Sequence, residues 1–237
     1  MERFLGSVDC IVAASPNYAQ TSPVLQQFKE KVQVVPYGLD EKSYPEVTAD
    51  KLNYWKNIVG DKFFLFVGAF RYYKGLHTLL DAAAVTSLPV VIIGGGGIES
   101  ELRAKAKELN LTNVHFVGSV PDEDKSALLQ LCYSVIFPSN VRSEAFGITL
   151  LEGAMYGKPL ISCEIGTGTS YININEHTGL VVEPANVPDL SRAMQQLWND
   201  EPLSRVYGAN ARNRFEEVFT SEQMAQQYLK IYKSLVL

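Results

Sequence analysis

Short apolar runs of strand length alternate along this chain with longer stretches in which apolar residues return every three or four positions. The first pattern predicts strands at about 9–14, 31–36, 63–68, 89–93, 113–117, 133–137, 159–162 and 179–182. The second predicts helices at about 17–28, 48–58, 75–85, 98–109, 122–131, 147–157, 187–198, 201–215 and 221–235. The strands are rich in Val, Ile and Phe with no clean polar alternation, as in Phe63-Phe64-Leu65-Phe66-Val67 and Val90-Val91-Ile92-Ile93. Such runs are buried on both faces, the habit of parallel strands covered by crossover helices. The expected fold is α/β, with a doubly wound parallel sheet.

A break in the pattern falls at Pro36-Tyr37-Gly38-Leu39-Asp40, where proline and glycine end a strand and no periodicity follows up to Pro45. Six strands follow the break and two precede it, too few for an independent domain. Residues 1–44 therefore read as the end of something larger with its linker, 45–220 as the main domain, and 221–237 as a terminal helix. That helix opens on Thr220 with Gln223 three residues on, a capping-box pattern. It carries Met224, Tyr228, Ile231, Tyr232 and Leu235 as an apolar stripe that needs a partner surface and is a candidate for self-association.

Composition narrows the function. The 237 residues are 46% hydrophobic and 20% charged, the balance of a globular protein. With 21 Lys and Arg against 26 Asp and Glu, the net charge of −5 gives no broad footprint for nucleic acid or an anionic membrane. An anionic ligand must be held by a local site. Cys10, Cys132 and Cys163 are widely spaced and lie in or beside apolar stretches, so they read as packed, reduced thiols. No apolar run approaches the roughly 20 residues that span a bilayer. Met1-Glu2-Arg3 leads into no signal-peptide core, and a cytoplasmic location is expected.

Three strand-to-helix loops could carry chemistry. Gly68-Ala69-Phe70-Arg71-Tyr72-Tyr73-Lys74-Gly75 joins a buried strand to a new helix N-terminus and adds two cations, which makes a diphosphate clamp without the order of a Walker loop. Gly94-Gly95-Gly96-Gly97 also stands between strand and helix. Glu99 occupies the place where a dinucleotide fingerprint needs glycine or alanine, so NAD is disfavoured. Four glycines there are read as room for backbone to approach a ligand. In the third loop, Glu144 precedes a helix that begins at Gly147 and carries Glu152 about one and a half turns in. Two carboxylates can thus flank one ligand with the helix N-terminus between them.

The stretch from Glu144 to Glu152 resembles the Glu-x7-Glu motif of family 4 retaining glycosyltransferases of the GT-B fold. It is joined in the right order by the Gly68 to Gly75 loop, the Gly94-x-Gly96 turn, Phe116-Val117-Gly118 with Val120 and Pro121, and His177-Thr178-Gly179-Leu180-Val181-Val182. Upstream, Val34-Val35-Pro36-Tyr37-Gly38-Leu39-Asp40 is similar to the family's crossover into the donor domain. The resemblance covers the C-terminal, Rossmann-like donor domain and the last βαβ unit of the N-terminal acceptor domain. It implies a nucleoside diphosphate sugar as substrate, with no metal and no other cofactor.

Residue by residue, the resemblance implies that Lys74 and the amides of Ile148 and Thr149 meet the diphosphate, and that Glu144, Phe146 and Gly147 lie near the donor sugar. Glu152 takes the ribose hydroxyls, and backbone around Ser119 and Val120 meets the base, with Gly68, Gly94 and Gly96 shaping the floor. Glu144, Lys74 and Arg71 are the candidate catalytic groups. One position departs from the family: Ala69 stands where an arginine is usual, and Arg71 is the candidate to replace it. The expected activity is transfer of a hexose, mannose first and GDP-mannose before a UDP-hexose, to a saccharide or lipid-linked acceptor in surface-polysaccharide assembly. Most of the acceptor domain has no counterpart here, so either a longer polypeptide or a separate partner subunit is expected to supply it, along with any membrane contact. The rival expectation is a non-catalytic nucleotide-binding subunit that kept the donor fold.

Overall fold

The computed structural model describes residues 2–236. Its first part comprises α1 (Glu2–Ser7), β1 (Ile11–Ala13), α2 (Pro16–Thr21), α3 (Pro23–Gln26) and β2 (Val32–Val34). Then follow α4 (Ala49–Val59), β3 (Phe64–Val67), α5 (Leu76–Thr86), β4 (Val90–Ile93), α6 (Glu99–Glu108), β5 (Val114–Gly118), α7 (Asp122–Leu131) and β6 (Ser134–Phe137). The chain closes with α8 (Ile148–Met155), β7 (Leu160–Cys163), α9 (Thr169–Ile172), β8 (Gly179–Val182), α10 (Val187–Asn199), α11 (Glu201–Val218) and α12 (Ser221–Val236).

The six later strands form one parallel sheet in the order β5-β4-β3-β6-β7-β8. The chain builds outward from β3 to one edge, then crosses back and continues from β6 to the other. The direction of winding therefore reverses between β3 and β6, and the carboxyl ends of strands at such a switch point form a crevice where ligands bind. Alternate residues of the central strands enter opposite layers. Phe63, Leu65, Val91, Val135 and Phe137 pack on one face with α4, α7, α8 and α11, while Phe64, Phe66, Val90, Ile92 and Ile136 pack on the other with α5, α6 and α10. The expected burial on both faces is present. β1 and β2 pair in parallel as a separate two-stranded sheet.

The continuous helix expected at 17–28 is broken. Ser15 caps α2, and Ser22 both ends α2 and caps α3, with Pro23 at the first helical position. Proline at that point cannot donate to the preceding turn, so periodicity runs on where hydrogen bonding stops. α1 and the four-residue α9 have no counterpart among the expected elements, and α11 runs three residues beyond the expected end, keeping Phe215 in the core.

The expectation of an open stripe on α12 needs correction. Ile231 is buried, and Met224 Sδ accepts the Gly38 amide at 3.4 Å. Thr220 caps the helix through the Gln223 amide, and backbone bonds Leu39 N to Phe219 O and Ser221 N to Leu39 O strap its start to the linker. Part of the stripe is thus spent within the chain. Tyr232, 61% exposed and stacked on Tyr228, remains open with Leu229 and Leu235. Among the described residues no helix is long and apolar enough to cross a membrane. Cys132 and Cys163 are buried, which pushes their thiols up to about 11 and about 12, whereas Cys10 is half-buried.

Candidate functional site

Four loops meet above the switch point, and the backbone explains how. Gly94 has φ +128°, and a Cβ on it would lie 2.0 Å from the Gly68 carbonyl oxygen. The Phe70 amide donates to Gly95 O at 2.8 Å, and the Gly94 amide to Gly118 O at 2.9 Å. The glycine run therefore lets the loops after β3, β4 and β5 touch one another. This corrects the reason given for it from the sequence: at Gly94 and Gly96 the space a side chain would need is filled by protein backbone, and only Gly97 faces open space.

Gly75 does the same on the other side. It sits at φ +69°, with Pro138 O 1.9 Å from where its Cβ would be, and the Asn140 amide donates to Tyr73 O at 2.9 Å. The loop after β3 is thereby pressed against the end of β6. Lys74 and Glu144, 70 residues apart in sequence, form an ion pair there through Nζ and Oε2. Their side chains are 13% and 12% exposed. Ser139 Oγ donates to the same carboxylate oxygen at 3.1 Å, and the ammonium lies 4.8 Å from the centre of the Phe137 ring. A phosphate entering here finds a cation held in a partly dry place, where charge interactions are strong.

α8 begins next to this pair. Its N-cap is Gly147, which supplies no side-chain acceptor, so the first amides, those of Ile148 and Thr149, are left to a ligand or to water. Thr149 Oγ1 donates to Val67 O at 3.1 Å and locks the helix start to the end of β3. Phe146 is buried, its ring 5.2 Å from Tyr37 and 6.4 Å from Phe219. Its part is to hold the loop, which leaves Ala145 exposed on its surface.

Glu152 lies further along α8 and is 5% exposed. Its Oε1 accepts the Tyr44 hydroxyl at 3.0 Å and pairs with Lys125 at 3.0 Å, and Lys125 also reaches Asp122 at 3.2 Å. Lys125 is raised: burial opposes its charge, but Glu152 and Asp122 outweigh burial. Ser119 is exposed on the loop between β5 and α7. Val120 beside it lines a hollow of about 560 Å³ with Lys51, Tyr54, Trp55 and Asp124. Burial pushes the Asp124 carboxyl up, yet the bonds from Lys51 at 2.9 Å and Trp55 Nε1 at 2.8 Å prevail and hold it below the usual value.

The structure thus brings together Gly68, Lys74, Gly94, Gly96, Glu144, Gly147, Ile148 and Thr149 at the loop junction. Arg71 does not join the pair; it is exposed at the start of the short turn Tyr72–Lys74, as is Ala69. Tyr44, Lys125, Ser139 and Arg142 were not singled out by the sequence. Arg142 Nη1 donates to Thr21 Oγ1 at 2.7 Å and Gly166 O at 2.9 Å, tying the Glu144 loop to α2. Among the described residues no group of three or more His, Cys, Asp or Glu is arranged to hold a metal ion.

In comparison with known proteins, residues 50–214 match a family model described as glycosyl transferases group 1. The chain is 54% identical over 235 residues to O-antigen chain mannosyltransferase C of Escherichia coli, covering 99% of this chain and 63% of that protein. It is 58% identical over 221 residues to D-rhamnosyltransferase WbpZ of Pseudomonas aeruginosa, covering 93% of this chain and 58% of that one. Among solved structures, Anabaena HepE in complex with UDP superposes with a TM-score of 0.84 at 21% identity, over 96% of this chain and 64% of that one. The chain spans about three fifths of the length of these two curated relatives.

Proposed function

The chain belongs to the group 1 glycosyltransferases, and on that premise we propose that it is the donor-binding part of a retaining enzyme of family 4 with the GT-B fold. In this reading a hexose passes from a nucleoside diphosphate to a saccharide or lipid-linked acceptor, without a metal, in surface-polysaccharide assembly. The observation that carries it is the Lys74–Glu144 pair beside the uncapped start of α8. Lys74 and the amides of Ile148 and Thr149 take the charge that grows on the departing diphosphate, a role fixed donors perform without reorganisation. Glu144 faces the sugar, Glu152 accepts ribose hydroxyls, and backbone at Ser119 and Val120 meets the base.

The mannosyl- and rhamnosyltransferase relatives support a mannose-like sugar, so GDP-mannose is the first choice and a UDP-hexose the second. The acceptor surface is assigned to the part of the relatives' length beyond the span matched here, whether on the same polypeptide or on a partner subunit. Closing water out of the cleft needs both sides. The isolated chain is therefore expected to bind nucleoside diphosphates weakly and to transfer no sugar.

The two glutamates provide the test by calorimetry with GDP, UDP and their sugars. Glu152→Ala should weaken all of these alike by roughly 1.5–3 kcal/mol, the range of a hydrogen bond to a charged group. Glu144→Ala should spare the bare diphosphates and remove the extra affinity contributed by the hexose. Equal losses for both variants on bare diphosphate, or none on any ligand, overturn the assignment. Robust transfer by the purified chain overturns the division of labour.

A further inference from the structure

We infer that Tyr44, on the linker that enters the main domain, is a positioning residue for ribose recognition: its hydroxyl fixes the Glu152 carboxylate so that Oε2 is presented to the ribose hydroxyls. The inference rests on the proposed role of Glu152. The linker is not a loose strand at this point. Asp40 caps the turn Glu41–Ser43 through the Lys42 amide at 3.0 Å and accepts Ser43 Oγ on its carbonyl at 2.6 Å. Glu41 then binds the Arg212 guanidinium with both oxygens, at 2.7 and 2.8 Å, and Arg212 also donates to Met155 O at the end of α8. The residue after this anchored turn is Tyr44. The linker thus delivers a phenol to the helix that carries Glu152.

The two donors on Glu152 are not equivalent. Lys125 is a point charge on a flexible stem that also serves Asp122, so it can neutralise the carboxylate without setting its orientation. Tyr44 has a rigid ring packed edge-on to Tyr156 at 6.4 Å, and its hydroxyl points at one oxygen. Burial and the neighbouring Glu152 push its phenol well above its ordinary value, so it stays a donor throughout the neutral range. Both contacts fall on Oε1. A carboxylate has about four acceptor sites, and pinning one oxygen leaves the other free for two vicinal hydroxyls.

The test compares GDP and UDP, each with its 2′,3′-dideoxy analogue, on the full chain, by calorimetry. Wild type is expected to prefer the ribonucleotide by about tenfold or more, the worth of hydrogen bonds to a charged acceptor. Tyr44→Phe removes only the hydroxyl and keeps the ring in place. It should cut that preference about three- to tenfold while affinity for the dideoxy analogue and the thermal midpoint stay unchanged. If Tyr44→Phe keeps the wild-type preference, or weakens both ligands alike with a lower midpoint, the phenol is structural and the inference fails. A wild-type protein that binds GDP or UDP but does not distinguish it from its dideoxy analogue removes the role of Glu152 and this inference with it. Failure to bind any of the four ligands removes the nucleotide reading as a whole.

Discussion

Replacing Lys74 with alanine is expected to weaken nucleoside diphosphate binding by roughly 1.5–3 kcal/mol, about 10- to 150-fold, and nucleoside monophosphate binding far less. The ammonium sits in a partly dry place against Glu144 and above the Phe137 ring, so its attraction for a phosphate is less screened than that of a surface lysine. Two effects add in the variant. The cation is lost, and Glu144 is left facing the incoming anion with only Ser139 as partner. Arg71 is exposed at the start of the Tyr72–Lys74 turn and is not part of the pair. Calorimetry at fixed ionic strength with the mono- and diphosphates of one nucleoside reads the contrast. An equal loss for both ligands would mean that Lys74 supports the loop and does not touch the second phosphate.

Gly94→Ala should be among the most damaging small changes in the chain, and damaging without any ligand. A methyl group at that position would stand 2.0 Å from the Gly68 carbonyl oxygen on a backbone that L residues rarely adopt. The loop after β4 must then move away from the loop after β3, breaking the bond from Phe70 N to Gly95 O. A cost of about 3 kcal/mol or more is expected, since overpacking and backbone strain combine. For a chain of this size that corresponds to a fall of roughly 6–12 °C in thermal midpoint. Gly97→Ala is the control: nothing lies within 4 Å of its Cβ, and stability should change by less than about 0.5 kcal/mol. Calorimetric melts of the ligand-free proteins decide the matter. Equal midpoints for Gly94→Ala and wild type would return the glycines to a purely ligand-facing role.

The sheet was legible because burial on both faces leaves no alternation to misread, and each Val/Ile/Phe run landed on a strand. The broken helix was not, because the apolar spacing crosses Ser22-Pro23 while the hydrogen bonds do not. Glycines are ambiguous for a related reason. A sequence shows that a side chain is missing but not what fills the space, and at Gly94 it is a neighbouring loop. The Glu144 and Glu152 pair could be read from the spacing between one loop and the helix that follows it. Tyr44 could not, since it reaches Glu152 from 108 residues away on a segment with no periodicity. Arg142 and Thr21 meet across 121 residues with the same lack of local signal.

The burial of Cys132 and Cys163 has a practical side. Thiolate, not thiol, attacks a maleimide, and two enclosed sulfurs held at about 11 and about 12 supply almost none at neutral pH. Cys10, half-buried and just ahead of β1, is the natural chain's own attachment point for a single fluorophore or spin label. A reporter placed there stands on the two-stranded unit, on the far side of the linker from the sheet that carries Lys74 and Glu152. Within these residues a label can therefore be placed without first replacing the other two sulfurs.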